Sequence, residues 1–319
     1  MNEFDIIKHY FAIQAKHRPD VIIGVGDDAA VVRPPSGYDL AITTDTLVAG
    51  IHFPPATSPF DIGHKSLAVN LSDLAAMGAS PAWVTLALTM PQTDENWLQA
   101  FCDGFFTLAN RYHVALIGGD LTHGPLSITV QAIGLTPPHQ AMLRSKAKPG
   151  DLIYVTGTLG DAGLALQYLQ SSVPLDPAYQ RDILERLNRP EPRVITGEHL
   201  RNLASAAIDI SDGLAADLGH ILKASNVGAI IHVDKLPFST ALTHATTPET
   251  AIALALTSGD DYELCFTIPV EKSREVEKQL GTLACRYSCI GEITQQTSLV
   301  LRYQNGNPYH GSILGYQHF

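Results

Sequence analysis

The sequence predicts an α/β protein of two domains, each a mixed β-sheet packed with helices. Three observations predict it. The 319 residues allow one large domain or two ordinary ones. Strand-like and helix-like segments alternate through both halves, the pattern of sheets covered by helices. Between the halves lies TPPHQAMLRSKAKPGD (136–151), with a proline pair, basic residues and a Pro-Gly turn, which places the boundary between residues 137 and 138. Residues 1–137 and 138–319 are thus the expected domains.

The elements follow in order. VIIGVG, AAVVR and DLAITTDTLV are rich in Val, Ile and Thr and broken by Gly and Pro, so they read as β segments. Ser58 then supplies an N-cap, Pro59 the first helical position and Asp61 the capping-box acid of a helix that Gly78 ends. AWVTLALTM is nearly all apolar, as a strand buried on both faces is. DENWLQAFCDGFFTLANRYH carries apolar residues at helical spacing, and VALIGGD and LSITVQAIGL follow as strands. In the second half DLIYVTG, AIDIS, GAIIHV, YELCFTI and YSCIGEI are strands. GDAGLALQYLQ, PEPRVITGEHLRNLA, DGLAADLGHILKAS and VEKSREVEKQL are helices.

Composition narrows the function. Acids outnumber bases by 32 to 21, for a net charge of −11, which argues against nucleic acid or an anionic membrane as partner. A phosphate ligand stays compatible if divalent cations stand between it and the protein. No apolar run is long enough to span a membrane, and the start, MNEFDIIKHYFAIQ, has no apolar h-region. The four cysteines, Cys102, Cys265, Cys285 and Cys289, form no CxxC pair and fit buried thiols of a reducing cytoplasm. As alternate residues of one strand, Cys285 and Cys289 would share a face; a zinc half-site is the other reading.

The informative residues are aspartates: Asp27, Asp28, Asp45, Asp73, Asp120, Asp209, Asp212, Asp260 and Asp261. Their neighbours are Ala, Val, Ile, Leu, Gly and Thr rather than Lys or Arg. Any one alone reads as a helix cap or turn residue, and Asp217, on a helix, keeps that reading. As a set they do not. Two carboxylates about 4 Å apart repel by roughly 4 kcal/mol at an effective dielectric of 20, and little local basic charge offsets it. Divalent cations would. Oxygen ligands from Asp, Ser and Thr, as in Thr43-Thr44-Asp45, suit Mg²⁺. Because Mg²⁺ keeps water and phosphate oxygens as further ligands, the set points to a nucleotide or polyphosphate substrate. Gly118, Gly119 and Asp120 offer bare backbone for phosphate approach, and Arg144 suits a bidentate phosphate contact as well as a solvated linker charge. GTLGDAG (157–163) lacks dinucleotide-binding spacing and reads as a strand-to-helix turn. P-loop, protein-kinase and nucleophile-elbow signatures are absent. His52, after the Thr/Asp strand and before Pro-Pro, is either structural or a ligand contact.

GVGDDAAVV, TTDTLVAGIHF, KSLAVNLSDLAAMGA, IGGD, IDISDGLAADL and SGDDYEL, read in that order, resemble the thiamine-monophosphate kinases, and so does the GYQHF tail. The resemblance runs from about Ile22 to Phe319. It implies the two-domain aminoimidazole ribonucleotide synthetase-like fold, shared with selenophosphate synthetase and a hydrogenase-maturation protein. It implies ATP-dependent phosphorylation of thiamine monophosphate to thiamine diphosphate by in-line γ-phosphoryl transfer with several Mg²⁺ ions, in a cytoplasmic homodimer. Asp28, Thr43, Thr44, Asp45, Asp73, Asp120, Asp209 and Asp212 match the family's magnesium positions. Gly119, Asp120, Arg144 and Ser211 match ATP contacts, and His52 a substrate contact. Asp260 stands where relatives often have Glu, and Ile313 where some carry an aromatic residue; Tyr316 is an alternative there. No general base is assigned. The alternatives are a sister enzyme acting on another small molecule, a metal-dependent phosphatase or nuclease, and a non-enzymatic binder of divalent ions.

Overall fold

A computed structural model describes residues 2–14, 18–171, 173–311 and 315. The chain divides into two compact units, Met1–Leu74 with Ala79–His139, and Ala75–Gly78 with Gln140–Phe319.

The first unit opens with α1 (Glu3–Ile6), started by a reciprocal Asn2/Asp5 capping box, and a π-helical stretch Ile7–Ala12 that buries Tyr10 and Phe11. Neither was expected, because so short an apolar stretch carries little periodicity. β1 (Val21–Ile23) and β2 (Val31–Val32) form a small antiparallel ribbon. Next come β3 (Asp39–Val48), α2 (Pro59–Ala76), β4 (Ser80–Met90), α3 (Glu95–Arg111), β5 (Ala115–His123) and β6 (Ser127–Thr136). The last four strands make one sheet in the order β3-β6-β4-β5. Parallel β4 and β5 are joined through α3, and the other pairings are antiparallel. Ser58 Oγ accepts the Asp61 amide at 3.2 Å, so α2 starts at Pro59 as its capping residues require. The apolar β4 is buried along most of its length, with Trp83 fully covered. Edge strand β3 instead alternates: Thr43, Asp45 and Leu47 face inward, while Ile42, Thr44 and Thr46 are exposed.

The second unit holds β7 (Leu152–Thr156), α4 (Asp161–Leu169), α5 (Pro177–Asn188), α6 (Val194–Leu200), β8 (Ala206–Asp209), α7 (Leu214–Ser225), β9 (Gly228–His232), α8 (Thr240–Ala245), α9 (Pro248–Thr257), β10 (Leu264–Ile268), α10 (Ser273–Leu280), β11 (Tyr287–Thr294) and β12 (Leu299–Arg302). Its sheet runs β12-β9-β11-β7-β10-β8, antiparallel except β12 against β9. Four elements were not foreseen. α5 buries only Ile183 and Leu187, α8 and α9 are short, and β12 has four residues, but α5 and α9 carry local start signals, Asp176-Pro177 and Thr247-Pro248, that the sequence reading passed over. Cys102 and Cys265 are buried, while Cys285 and Cys289 are half-buried. Cys285 precedes β11, which corrects the placing of both on one strand. Among the described residues no helix is long and apolar enough to cross a membrane.

Candidate functional site

In the first unit the alternation of β3 selects among its polar residues. Thr43 and Asp45 share the face that meets Asp73 on α2: the Thr43 hydroxyl donates to Asp73 Oδ2, and Asp45 hydrogen-bonds with Asp73. Burial, then the Asp73 charge, pushes the Asp45 carboxyl up to about 7. Such a carboxyl pair stores repulsion that a cation relieves. Thr44 points to the opposite face, its hydroxyl 3.5 Å from Gln131 Nε2, so the structure does not bring this side chain to the Asp45–Asp73 pair. Asn70, unforeseen and fully buried, accepts the Asp45 amide at 3.1 Å and donates to the Ser66 carbonyl. Its signal was present as the lone amide in the apolar run LAVNLSDL. His52 Nδ1 accepts the Val48 amide at 3.0 Å, closing the turn after β3 and leaving the ring proton of the neutral form on Nε2. Buried Lys65 reaches the His52 carbonyl at 3.4 Å.

A cavity of about 510 Å³ in the same unit is lined by Asp27, Asp28, Gly118, Gly119 and Asp120, and by apolar Phe4, Ile7, Phe11, Leu86 and Leu88. Asp28 donates its amide to Asp27 Oδ1 at 2.9 Å, and Asp120 Oδ2 accepts the Thr122 hydroxyl at 2.8 Å. A Cβ on Gly119 would lie 1.9 Å from the Leu86 carbonyl oxygen, so only glycine keeps β5 this close to β4 beside the cavity.

In the second unit β8 ends at Asp209, opposite Leu264 of β10. Past the strand ends the chain stays laced: Tyr262 donates its amide to the Ile210 carbonyl at 2.8 Å and Asp260 to the Ser211 carbonyl at 2.9 Å. Asp217, buried in the first turn of α7, accepts the amides of Ser211 and Asp212, each at 3.0 Å. Burial pushes its carboxyl up to about 7; the two amides and nearby Arg144 pull the other way and Asp212 adds to the rise. The helix-capping role read for Asp217 thus extends to shaping the Ser211–Asp212 turn. Arg144 begins a short 3₁₀ turn whose carbonyl takes a hydrogen bond from Ser225. Arg144, Asp209, Ser211, Asp212 and Asp260 therefore lie in one neighbourhood. Gly315 adjoins it: a Cβ there would meet the Asp212 carbonyl oxygen at 2.4 Å. Ile313 and Tyr316 lie outside the described residues.

Beneath this neighbourhood is a buried ionic network that sequence inspection missed. Glu263 is fully buried and accepts from Arg193 Nε and Nη2, each at 2.6 Å, from Arg186 Nη2 at 2.8 Å and from Thr156 at 2.6 Å. Burial alone would raise its pKa, yet Arg193 and then Arg186 hold it below the ordinary value. Asp161 accepts the hydroxyls of Thr158 and Ser239. Asp261 accepts the Gly160 amide at 2.8 Å through Oδ2, and burial drives its pKa well above the ordinary range. A Cβ on Gly157 would fall 2.0 Å from Glu263 Oε1, so glycine there makes room for the carboxylate. Arg186 and Arg193 are far from these acids in sequence, so no local pattern could pair them.

Among the described residues no three His, Cys, Asp or Glu side chains are gathered to hold a metal ion. The acids occur as pairs and turn residues within each unit. Pairs of oxygen donors suit Mg²⁺, which takes one or two carboxylates and completes its shell with water and phosphate.

Residues 26–136 match the AIR synthase related protein N-terminal domain and residues 148–304 the corresponding C-terminal domain. A relative from Escherichia coli, named thiamine-monophosphate kinase, is 49% identical over 318 residues, 99% of this chain and 98% of its own. A crystal structure of thiamine-monophosphate kinase from Stenotrophomonas maltophilia superposes with a TM-score of 0.89 at 45% identity, over 97% of this chain and 98% of that one. A structure described as AaThiL complexed with AMPPCP and TMP superposes with a TM-score of 0.78 at 29% identity, over 92% of each chain.

Proposed function

From the premise that the chain belongs to the thiamine-monophosphate kinase family, we propose that it transfers the γ-phosphoryl of ATP in line to the phosphate of thiamine monophosphate, giving thiamine diphosphate and ADP. The supporting observation is the Asp45–Asp73 pair, two carboxyls in contact between half-buried residues of β3 and α2, with the Asp45 pKa raised by burial and by the Asp73 charge. In this reading Asp28, Thr43, Thr44, Asp45, Asp73 and Asp120 of the first unit would hold Mg²⁺, as would Asp209 and Asp212 within the second. Bound Mg²⁺ supplies the charge neutralisation that lets one polyanion approach another.

The chain's own residues do the rest by placement. The cavity beside Gly118–Asp120 is of nucleotide size, and its apolar walls suit the base while the Gly119 backbone admits phosphate. Arg144 and Ser211 serve ATP, and His52, Asp260 and Ile313 serve the thiamine substrate. Asn70 holds the Asp45 backbone in place, and Asp217 shapes the Ser211–Asp212 turn. The acceptor is a phosphate oxygen already anionic at neutral pH, so no strong general base is needed and alignment carries the rate. Residues 1–137 would form the ATP-binding and dimerisation domain, and 138–319 would supply the remaining acids. The homodimer reading is supported by edge strand β3, whose outer face exposes Leu40 and Ile42. The enzyme would work in the cytoplasm, without nucleic acid or membrane.

Mass spectrometry of products after incubation with ATP, Mg²⁺ and thiamine monophosphate tests this. Stoichiometric thiamine diphosphate and ADP are expected. Free phosphate without thiamine diphosphate would establish a phosphatase instead, and turnover only with a different small acceptor would establish a sister enzyme.

A further inference from the structure

The turn Asp260–Tyr262 is held in a conformation that its residues do not favour. Asp260 has φ +69° and Tyr262 φ +48°, left-handed values that are uncommon for a non-glycine residue and unfavourable for a bulky tyrosine. Such backbone persists where its surroundings over-determine it. Here the surroundings are identifiable. Asp261, 2% exposed, plants Oδ2 on the Gly160 amide at the start of α4, an end of a helix that favours an acceptor. Two residues on, Glu263 is clamped by Arg186, Arg193 and Thr156. The two buried side chains fix the backbone on both sides of Tyr262. The turn then hands its order on: Asp260 and Tyr262 donate to the carbonyls of Ser211 and Ile210, and Ile210 donates to Glu263. The segment so laced carries Asp209, Ser211 and Asp212.

We propose that Asp261 is a positioning residue, whose buried carboxyl pegs the Asp260–Tyr262 turn to Gly160 and thereby sets Asp260 and the Asp209–Asp212 segment in place for phosphoryl transfer. It rests on the assignment of those residues to the kinase site. The peg needs one acceptor atom. Asp261 Oδ1 is buried without a partner, so an amide NH₂ in its place breaks no hydrogen bond, and the amide oxygen can take the Gly160 N–H.

The test compares wild type, Asp261→Asn, Asp261→Ala, Asp260→Asn and the double variant Asp260→Asn/Asp261→Ala as full chains. Amide hydrogen exchange is followed over residues 258–264 and 208–213, and kcat and KM are measured with ATP, Mg²⁺ and thiamine monophosphate. In Asp261→Ala the amides of Asp260 and Tyr262 should exchange at least about tenfold faster, and kcat should fall about ten- to hundredfold while the KM for ATP stays within about threefold. Asp261→Asn should restore both exchange and kcat to near wild type. The double variant should turn over more slowly than Asp260→Asn, because removing Asp261 also loosens the Asp209–Asp212 segment, whose backbone bonds Asp260→Asn leaves intact. If the alanine variant does not fold, Asp261→Ser is measured in its place with the same expectation. Unchanged exchange in the alanine variant overturns the proposal, as does faster exchange with wild-type kcat. Failure of the kinase assignment is distinct: wild type would then form no thiamine diphosphate, while the exchange data still decide whether Asp261 holds the turn.

Discussion

Asp45→Asn should make the metal-free protein more stable and nearly inactive. The wild-type carboxyl rises from 3.8 to about 7 on folding. Between those values the native state binds more protons than the unfolded chain, so stability falls as pH climbs through that window. Roughly three pKa units at 1.36 kcal/mol each put the cost near 4 kcal/mol at pH 7.5, an upper limit because Asp73 shares the repulsion. Asparagine keeps the shape and removes the charge. At about 2.1 cal/mol/K of unfolding entropy per residue, 319 residues shift by about 1.5 °C per kcal/mol, so Tm in EDTA should rise by up to roughly 6 °C at pH 7.5. The linkage makes the gain at pH 5 less than about half as large. Calorimetry at both pH values, in EDTA and in Mg²⁺ with nucleotide, reads the stability arm; Mg²⁺ should stabilise wild type and not the variant. Steady-state kinetics should show kcat lower by about two orders of magnitude or more. An unchanged Tm at pH 7.5, or an equal gain at both pH values, refutes the buried-repulsion argument. Near-normal turnover refutes the metal role.

Three further outcomes are expected. Glu263→Ala strips Arg186 and Arg193 of their shared buried carboxylate and should cost about 3–5 kcal/mol in urea unfolding; a loss under 1 kcal/mol would mean that water replaces the carboxylate freely. Gly119→Ala places a methyl 1.9 Å from the Leu86 oxygen, so β5 must shift and ATP affinity should fall at least about tenfold by calorimetric titration. Asp217→Asn should flatten the pH dependence of stability. The wild-type carboxyl, at about 7 in the fold, takes up a proton on folding between about pH 4 and 7 and loses stability as pH rises across that range. The variant should therefore gain most above pH 7, and a wild-type slope in the variant would show that Asp217 does not titrate there.

The sequence by itself determined most strands and helices through a long apolar period or a capping pattern, although the Asp176-Pro177 and Thr247-Pro248 starts of α5 and α9 went unread. α2 starts at Pro59 because Ser58 and Pro59 are local signals, and β4 is buried because its run is apolar throughout. The same sequence pointed to the aspartates, since acids without basic neighbours are legible one residue at a time. It could not sort them. The pleat of β3 puts Thr43 and Asp45 on one face and Thr44 on the other, and whether a face meets Asp73 or solvent depends on how β3 packs against α2. Likewise the start of α5 is legible in Asp176-Pro177, but not that the helix delivers Arg186 to Glu263 across 77 positions of chain. Pairing of that kind is set by which surfaces exclude water together. An isolated stretch encodes its own period and its caps; the partners that stabilise a buried charge are chosen only when distant segments close around it.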